Sequence, residues 1–386
     1  MIRMRAARQG IAEDRPRPSF YEFFAGGGMA RAGLGPDWNC LFANDIDPKK
    51  SRAYKINWGA AVLTTADIRD VRAQDLPGQA DLAWASFPCQ DLSLAGNYVG
   101  LTGDRSGTFW PFWKVIGDLI ALGCAPKVIV VENVCGAITS HKGKDFAAIC
   151  DAFSSAGYRY GALVIDAKHF LPQSRPRLFI VGVLADIQLP SGFTSKKPSE
   201  VWHSGTLQKA HGALPFELRS SWVWWRLPKP PKRRARFADL IENNPEGVVW
   251  HTPAQTERLL SMMSQVNRAK VEAAKQVGKH VVGGVYKRTR QDEGGGRQQR
   301  AEVRFDDIAG CLRTPGGGCS RQTIIVIKGN DVRTRLIYPV HARTRKSFGF
   351  MTRKLSVTES QSSGQFCGTS LRRKVSTSPA NSLEVA

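Results

Sequence analysis

The stretch Ser19-Phe20-Tyr21-Glu22-Phe23-Phe24-Ala25-Gly26-Gly27-Gly28-Met29-Ala30-Arg31-Ala32-Gly33-Leu34 decides the fold. Ser19 to Phe24 is a short β-prone run, Ala25 to Gly28 is a glycine-rich turn, and a helical pattern follows. Strand, glycine turn and helix together open a nucleotide-binding βα unit, because glycines let the backbone approach a ligand that the helix N-terminus faces. A glycine turn alone is common. The next strand strengthens the reading: Cys40-Leu41-Phe42-Ala43 ends in Asn44-Asp45-Ile46-Asp47. Asp45 lies 19 residues past Gly26, near the spacing at which such folds hold ribose hydroxyls.

More units of the same kind follow. Ala61-Val62-Leu63 leads to Thr65-Ala66-Asp67-Ile68, and Asp81-Leu82-Ala83-Trp84-Ala85 leads to Ser86-Phe87-Pro88-Cys89-Gln90. Pro88 stiffens the loop that holds Cys89 just past the end of a strand. Taken alone, Cys89 reads as one more buried thiol; as a nucleophile it needs neighbours that favour the thiolate. A helix is expected from about Phe109 to Leu122, and Pro126 to Val131 is the clearest buried strand, ending in Glu132-Asn133-Val134. A helix near Asp145 to Ala156 precedes strands at Tyr160 to Ala167 and Arg177 to Leu184, with Gln173-Ser174-Arg175-Pro176-Arg177 between them. This alternation predicts an α/β fold with a mostly parallel, doubly wound sheet through about residue 185.

Charge then narrows the partner. Lys and Arg number 55 against 33 Asp and Glu, an excess of +22 that suits a polyanion such as nucleic acid. No apolar run approaches the ~18 residues needed to span a bilayer, and residues 1–18 read as a flexible basic leader. The cysteines at 40, 89, 124, 135, 150, 311, 319 and 367 form neither a Cys-x-x-Cys pair nor a zinc spacing, so a reducing cytoplasm and no metal site are expected.

Beyond residue 185 the texture changes to proline, tryptophan and basic clusters, including Trp222-Val223-Trp224-Trp225-Arg226 and Lys229 to Arg236. One helix is expected over Pro253 to Gln276, then a glycine-rich basic stretch from Gly283 to Arg300. Arg313-Thr314-Pro315-Gly316-Gly317-Gly318 precedes a strand from Gln322 to Ile327. Arginines interleaved with aromatics suit a phosphate backbone and stacked bases.

Taken together, these motifs resemble those of the DNA cytosine-5 methyltransferase family. The resemblance is carried in order by Phe24 to Gly28, Asn44-Asp45-Ile46, Asp67-Ile68, Phe87-Pro88-Cys89-Gln90, Glu132-Asn133-Val134, Gln173 to Arg177 and Arg313 to Gly318, over about residues 19 to 338. It implies a Rossmann-like methyltransferase domain over 19–185, a smaller target-recognition region over 186–310 and a return to the catalytic domain over 311–340. The implied cofactor is S-adenosylmethionine, held by Phe24, Ala25, Gly26, Gly28, Asp45, Ile46, Asp67, Ile68 and Pro88. Cys89 would add to ring carbon 6 of a flipped-out cytosine. Glu132 would donate to ring nitrogen 3, Arg175 would bind the base carbonyl oxygen, and Arg177 would shape the pocket or touch a phosphate. The implied partner is duplex DNA, methylated by a monomeric cytoplasmic enzyme that can share its site with a cognate restriction endonuclease.

One departure stands out. Members with this motif order close on a Gly-Asn motif that opens a final helix, whereas residues 341–386 carry 14 Ser or Thr and 8 Lys or Arg against 2 acidic residues, with no helical period. That reads as a disordered tail on a truncated or frame-shifted C-terminus. The alternative to a working enzyme is therefore a catalytically impaired, DNA-binding remnant. An RNA-directed member fits less well, given the long basic region. A nicotinamide oxidoreductase leaves the Pro88-Cys89 loop unexplained.

Overall fold

The computed structural model of the protein describes residues 16–88, 106–242, 248–291, 296–312 and 322–337. Cys89, the leader through residue 15, Arg313 to Gly318 and the tail 341–386 lie outside the described residues.

The first body contains β1 (Ser19–Phe23), α1 (Met29–Leu34), β2 (Asn39–Asn44), α2 (Pro48–Trp58), β3 (Leu63–Thr64), β4 (Leu82–Ala85), α3 (Phe109–Ala121), β5 (Val128–Val134), α4 (Lys144–Ser155), β6 (Tyr158–Asp166) and β7 (Pro176–Leu184). Its seven strands run in the order β3-β2-β1-β4-β5-β7-β6. The first five are parallel to their neighbours, while β7 is antiparallel to both β5 and β6. The α/β expectation holds. After β3 the chain returns to the other side of β1, so strand order reverses between β1 and β4. There the loops at the strand ends diverge and leave a crevice.

Both faces of the sheet are covered, which is why its strands read as nearly continuous apolar runs. Tyr21 and Phe23 of β1, Ala83 and Ala85 of β4 and Ile129 and Val131 of β5 point to one face, under Phe109, Phe112 and Ile116 of α3 and Phe146, Ile149 and Phe153 of α4. The alternate positions, Phe20, Leu82 and Val130, pack with Tyr54 of α2 on the other face. Each such side chain contributes roughly 1.5–3 kcal/mol by leaving water.

The outer edge of β6 is covered by the following segment, which contains β8 (Thr194–Ser195), α5 (Gly205–Gly212), α6 (Phe216–Ser220) and β9 (Trp224–Trp225). Tyr160 N donates to Ser221 O and Val223 N donates to Tyr160 O, so an exposed edge that could pair with another chain is closed.

The second body contains α7 (Pro253–Ser261), α8 (Gln265–Gln276), β10 (Val281–Gln291), β11 (Arg297–Arg304), β12 (Thr323–Lys328) and β13 (Asp331–Leu336). Its antiparallel sheet runs β11-β10-β12-β13, with Leu259, Met263, Val271 and Ala274 of the helical segment on Val285, Ala301, Val303 and Ile325. The single helix expected over 253–276 is two. Ala301 N donates to Met262 O, Met263 bridges Ala301, and Ser264 is extended, so a strand contact interrupts the helix. Gly329-Asn330, with Gly329 at φ 57°, is the two-residue turn between β12 and β13. Of residues 323–336, read from sequence as part of a return to the catalytic domain, β12 pairs with β10 and β13 with β12 in this second sheet. The chain meets the first body again just before them, where Ala309 bridges Gln173.

Candidate active site

The crevice begins at the glycine turn. Phe24, Gly26 and Gly28 have φ of 55°, 57° and 79°, and Phe24 holds this left-handed conformation without glycine's freedom, at about 1–2 kcal/mol. A Cβ on Gly28 would lie 2.2 Å from Trp58 Nε1, so no other residue fits there without moving Trp58. Trp58 Nε1 and Asn57 Nδ2 both donate to Gly27 O, at 3.1 and 3.2 Å, bracing the turn from the end of α2.

Glu22, at 1% exposure, takes the place a phosphate would need. Its Oε1 accepts from Ala30 N at 2.9 Å and Arg31 N at 3.4 Å, which are the first-turn donors of α1. Its Oε2 is buried with no partner. Burial pushes the Glu22 carboxyl up to about 7, against the lowering effect of those donors and of the Arg31 charge. A pyrophosphate would meet occupied donors and a carboxyl group, whereas a cationic sulfonium suits acidic surroundings. The residues present therefore fit S-adenosylmethionine better than a dinucleotide.

Around the turn, Asp45 is buried and accepts from Gly26 N through Oδ2 at 2.8 Å and from Asp47 N through Oδ1 at 2.9 Å. A carboxylate has about four acceptor positions, so capacity remains for a ligand hydroxyl. Ile46 is 59% exposed at the lip, an apolar face with nothing packed over it. Asp67 Oδ1 accepts from Arg69 N, and Ile68 beside it is buried in the core at 3% exposure. Ala25 N donates to Asn44 O, tying the turn to β2.

Across the crevice, β4 ends at Ala85 and Phe87 O accepts from Asn133 Nδ2 at 3.3 Å, which fastens the approach to Pro88 and Cys89 onto β5. Glu132 lies within β5, opposite Phe179, rather than just past the strand. Because β7 is antiparallel to β5, its first residues stand beside the carboxyl end of β5, and Val134 pairs with Arg177. This reversal brings Glu132 and the arginines together. Arg177 Nε lies 3.1 Å from Glu132 Oε1, with both side chains mostly sheltered.

Arg175, near this pair, is held by other partners. Its N donates to Asp166 Oδ1 at 2.7 Å and its guanidinium lies 3.7 Å from Cys311 Sγ. Burial, and then the neighbouring Arg177 charge, lower its pKa from the ordinary guanidinium value. The loop carrying Arg175 is clamped to the second body: Ala309 N donates to Pro172 O and Ser174 N donates to Ala309 O. Gln322, at the start of β12, accepts from Gly310 N at 3.1 Å and donates to Cys311 O at 2.9 Å.

The structure thus gathers Phe24 to Gly28, Asp45 and Ile46 on one side of the crevice and Glu132 with Arg177 on the other. Ile68 stands apart, inside the core. Sequence reasoning missed Glu22, Trp58, Asn133 and Gln322. Glu22 carried a signal, an acidic residue within an apolar strand just before the glycines; Gln322 carried none.

A doubly wound domain with an acidic glycine turn after β1 and a sheltered Glu–Arg pair on β5 and β7 has the architecture of a Rossmann-like S-adenosylmethionine-dependent methyltransferase. The sequence matches the C-5 cytosine-specific DNA methylase family over residues 19–348, and the chain belongs to that family. Among curated relatives it is 32% identical to type II methyltransferase M.BsuFI of Bacillus subtilis over 171 residues, 44% of this chain and 40% of that protein. It is also 32% identical to type II methyltransferase M.HaeII of Haemophilus aegyptius over 240 residues, 60% of this chain and 67% of that protein. The Dnmt2 methyltransferase of S. pombe aligns with 17% identity and a TM-score of 0.43, covering 64% of this chain and 67% of that one. The chain spans about half the length of the curated relatives it matches. Among the described residues, no helix is long and apolar enough to cross a membrane.

Proposed function

We propose that this chain transfers a methyl group from S-adenosylmethionine to carbon 5 of cytosine in duplex DNA. The observation that carries the reading is the sheltered Glu132–Arg177 pair beside the loop that leads through Pro88 to Cys89. Cytosine is a poor nucleophile at carbon 5. Addition of the Cys89 thiolate to carbon 6 moves electron density into the ring and makes carbon 5 reactive. S-adenosylmethionine supplies an electrophilic methyl group on a cationic sulfur. Glu132 holds a proton at ring nitrogen 3 as charge develops there. Arg175 binds the base carbonyl oxygen, and Arg177, whose ion pair with Glu132 and donation to Pro176 O at 2.8 Å support a role beside it, shapes the same pocket. Loss of the carbon 5 proton to a solvent base then expels the thiolate, and the nitrogen 3 proton returns to Glu132 as the aromatic ring is restored.

The glycine turn and Asp45 bind the cofactor, Ile46 offers a face for its adenine, and Asp67 and Pro88 line the remaining edge. The cytosine must leave the duplex to reach this site. The likeness to type II methyltransferases supports a cognate restriction endonuclease for the same sequence, and the reading takes the chain as a monomer acting in the cytoplasm.

The test is incorporation of labelled methyl groups into unmethylated duplex DNA, with Cys89→Ser as control and tRNA as competitor. Incorporation by the natural chain that vanishes in Cys89→Ser supports the reading. DNA binding without any incorporation assigns the chain instead to the silent, DNA-binding remnant.

A further inference from the structure

The helix α2 is tied to the glycine turn at both of its ends. At its start Asp47 is the N-cap: its Oδ1 accepts from Lys49 N at 2.8 Å and Lys50 N at 3.3 Å, and Pro48 takes the first helical position. Asp47 N in turn donates to Asp45 Oδ1, while Asp45 Oδ2 accepts from Gly26 N. At its end Gly59, at φ 83°, stops the helix with its N–H on Lys55 O. The two residues before that stop, Asn57 and Trp58, both donate to Gly27 O. Gly26 and Gly27 are therefore held from opposite ends of one 11-residue helix, roughly 16 Å long.

Helix length matters here, because successive side chains step round a helix by about 100°. One residue more or fewer between Pro48 and Gly59 would turn the Trp58 indole away from the turn. Trp58 is also fixed sideways. The Arg31 guanidinium lies over its ring, 5.0 Å from the centroid, and donates to the hydroxyl of buried Tyr54 at 3.1 Å. Gly28 leaves the space that the indole needs, since a Cβ there would stand 2.2 Å from Nε1.

These contacts converge on one peptide unit. Its carbonyl, Gly27 O, takes two side-chain donors, and its N–H, on Gly28, donates to Ala25 O at 2.8 Å. Packing alone would be met by any large ring at position 58 and asks nothing of the exposed Asn57. A glycine-rich turn has the most backbone freedom to lose on binding a ligand, so a turn fixed beforehand binds more tightly. We propose that Asn57 and Trp58 are positioning residues for S-adenosylmethionine, locking the Gly27 carbonyl so that the glycine turn and Asp45 keep the spacing that one ligand needs. The inference rests on the reading of the turn and Asp45 as the cofactor site and adds what holds that site preformed.

The test is calorimetric titration of the full chain with S-adenosylmethionine and, separately, with S-adenosylhomocysteine, beside urea unfolding and duplex DNA binding. Trp58→Phe keeps a ring and removes one donor. Asn57→Ala removes the other at an exposed position and leaves the core intact. Each weakens both ligands about 3- to 10-fold, and the double variant weakens them by more than the product of the two losses, because the carbonyl then has no side-chain donor. The urea midpoint of Asn57→Ala is unchanged, and duplex affinity stays within about twofold in all three variants. Unchanged cofactor affinity in the double variant, a double loss at or below the product, or a loss that follows the urea midpoint and duplex affinity overturns the proposal. A natural chain that binds neither ligand defeats the cofactor reading and the positioning role together. A natural chain that binds both, with variants that bind as well, defeats the positioning role alone.

Discussion

Arg177 Nε lies 3.1 Å from Glu132 Oε1, although the two residues come from strands that run in opposite directions. The contact exists because β7 is inserted antiparallel between β5 and β6, so the beginning of one strand meets the end of the other. In the proposed reaction, the carboxyl group that would share a proton with the base and a guanidinium of its pocket are thereby set before any substrate arrives.

Glu132→Gln keeps the shape of this pair and removes the acid. The expected outcome is a kcat lowered by about 10²- to 10⁴-fold with DNA affinity within a few fold, measured by single-turnover methyl transfer and equilibrium binding. Equal loss in both quantities would mean that Glu132 serves binding only.

Ile46 and Ile68 are separated by burial. Ile46→Ala, at a 59% exposed position, leaves stability within about 0.5 kcal/mol and weakens S-adenosylmethionine binding. Ile68→Ala, at 3% exposure, costs about 2–5 kcal/mol of stability. Denaturant titration and calorimetric cofactor binding check both.

How much of this was legible follows from the range of each interaction. The opening βα units were readable because a strand covered on both faces must be apolar throughout, as Tyr21, Phe23, Ala83 and Ile129 are. Cys89, Glu132 and the two arginines were nameable as a set, but the pairing of Glu132 with Arg177 depends on the direction of β7, which no local pattern encodes. The break between α7 and α8 is likewise imposed from a distance, by Ala301 on Met262. Ile68 ends a motif like Ile46 yet packs inward, because periodicity over a single short turn does not distinguish the crevice from the core.

Glu22 gives a pH signature. Its carboxyl is raised from 4.5 to about 7 in the fold, so between those values the folded chain holds a proton that the unfolded chain has lost. Its stabilising contribution is complete below pH 4.5 and is lost as pH rises through 7, by about 3 kcal/mol at most. Glu22→Gln removes that slope. Urea unfolding of both proteins from pH 4.5 to 8 is the measurement, and parallel curves would contradict it.

Gln322 joins the second sheet to the segment against Arg175. Gln322→Ala leaves Gly310 N and Cys311 O without these partners, at about 1–3 kcal/mol. The expected outcome is a kcat on DNA lowered more than KM is raised, because Arg175 loses its footing while β10 and β11 are retained. A change in KM alone would place Gln322 in DNA binding.

The most direct measurement of the central claim is bisulfite sequencing of DNA from cells that lack their own cytosine methylation and express this chain. The account predicts protected cytosines at one recurring sequence, absent when the chain carries Cys89→Ser. Uniform conversion of every cytosine in cells that accumulate the folded natural chain would contradict it.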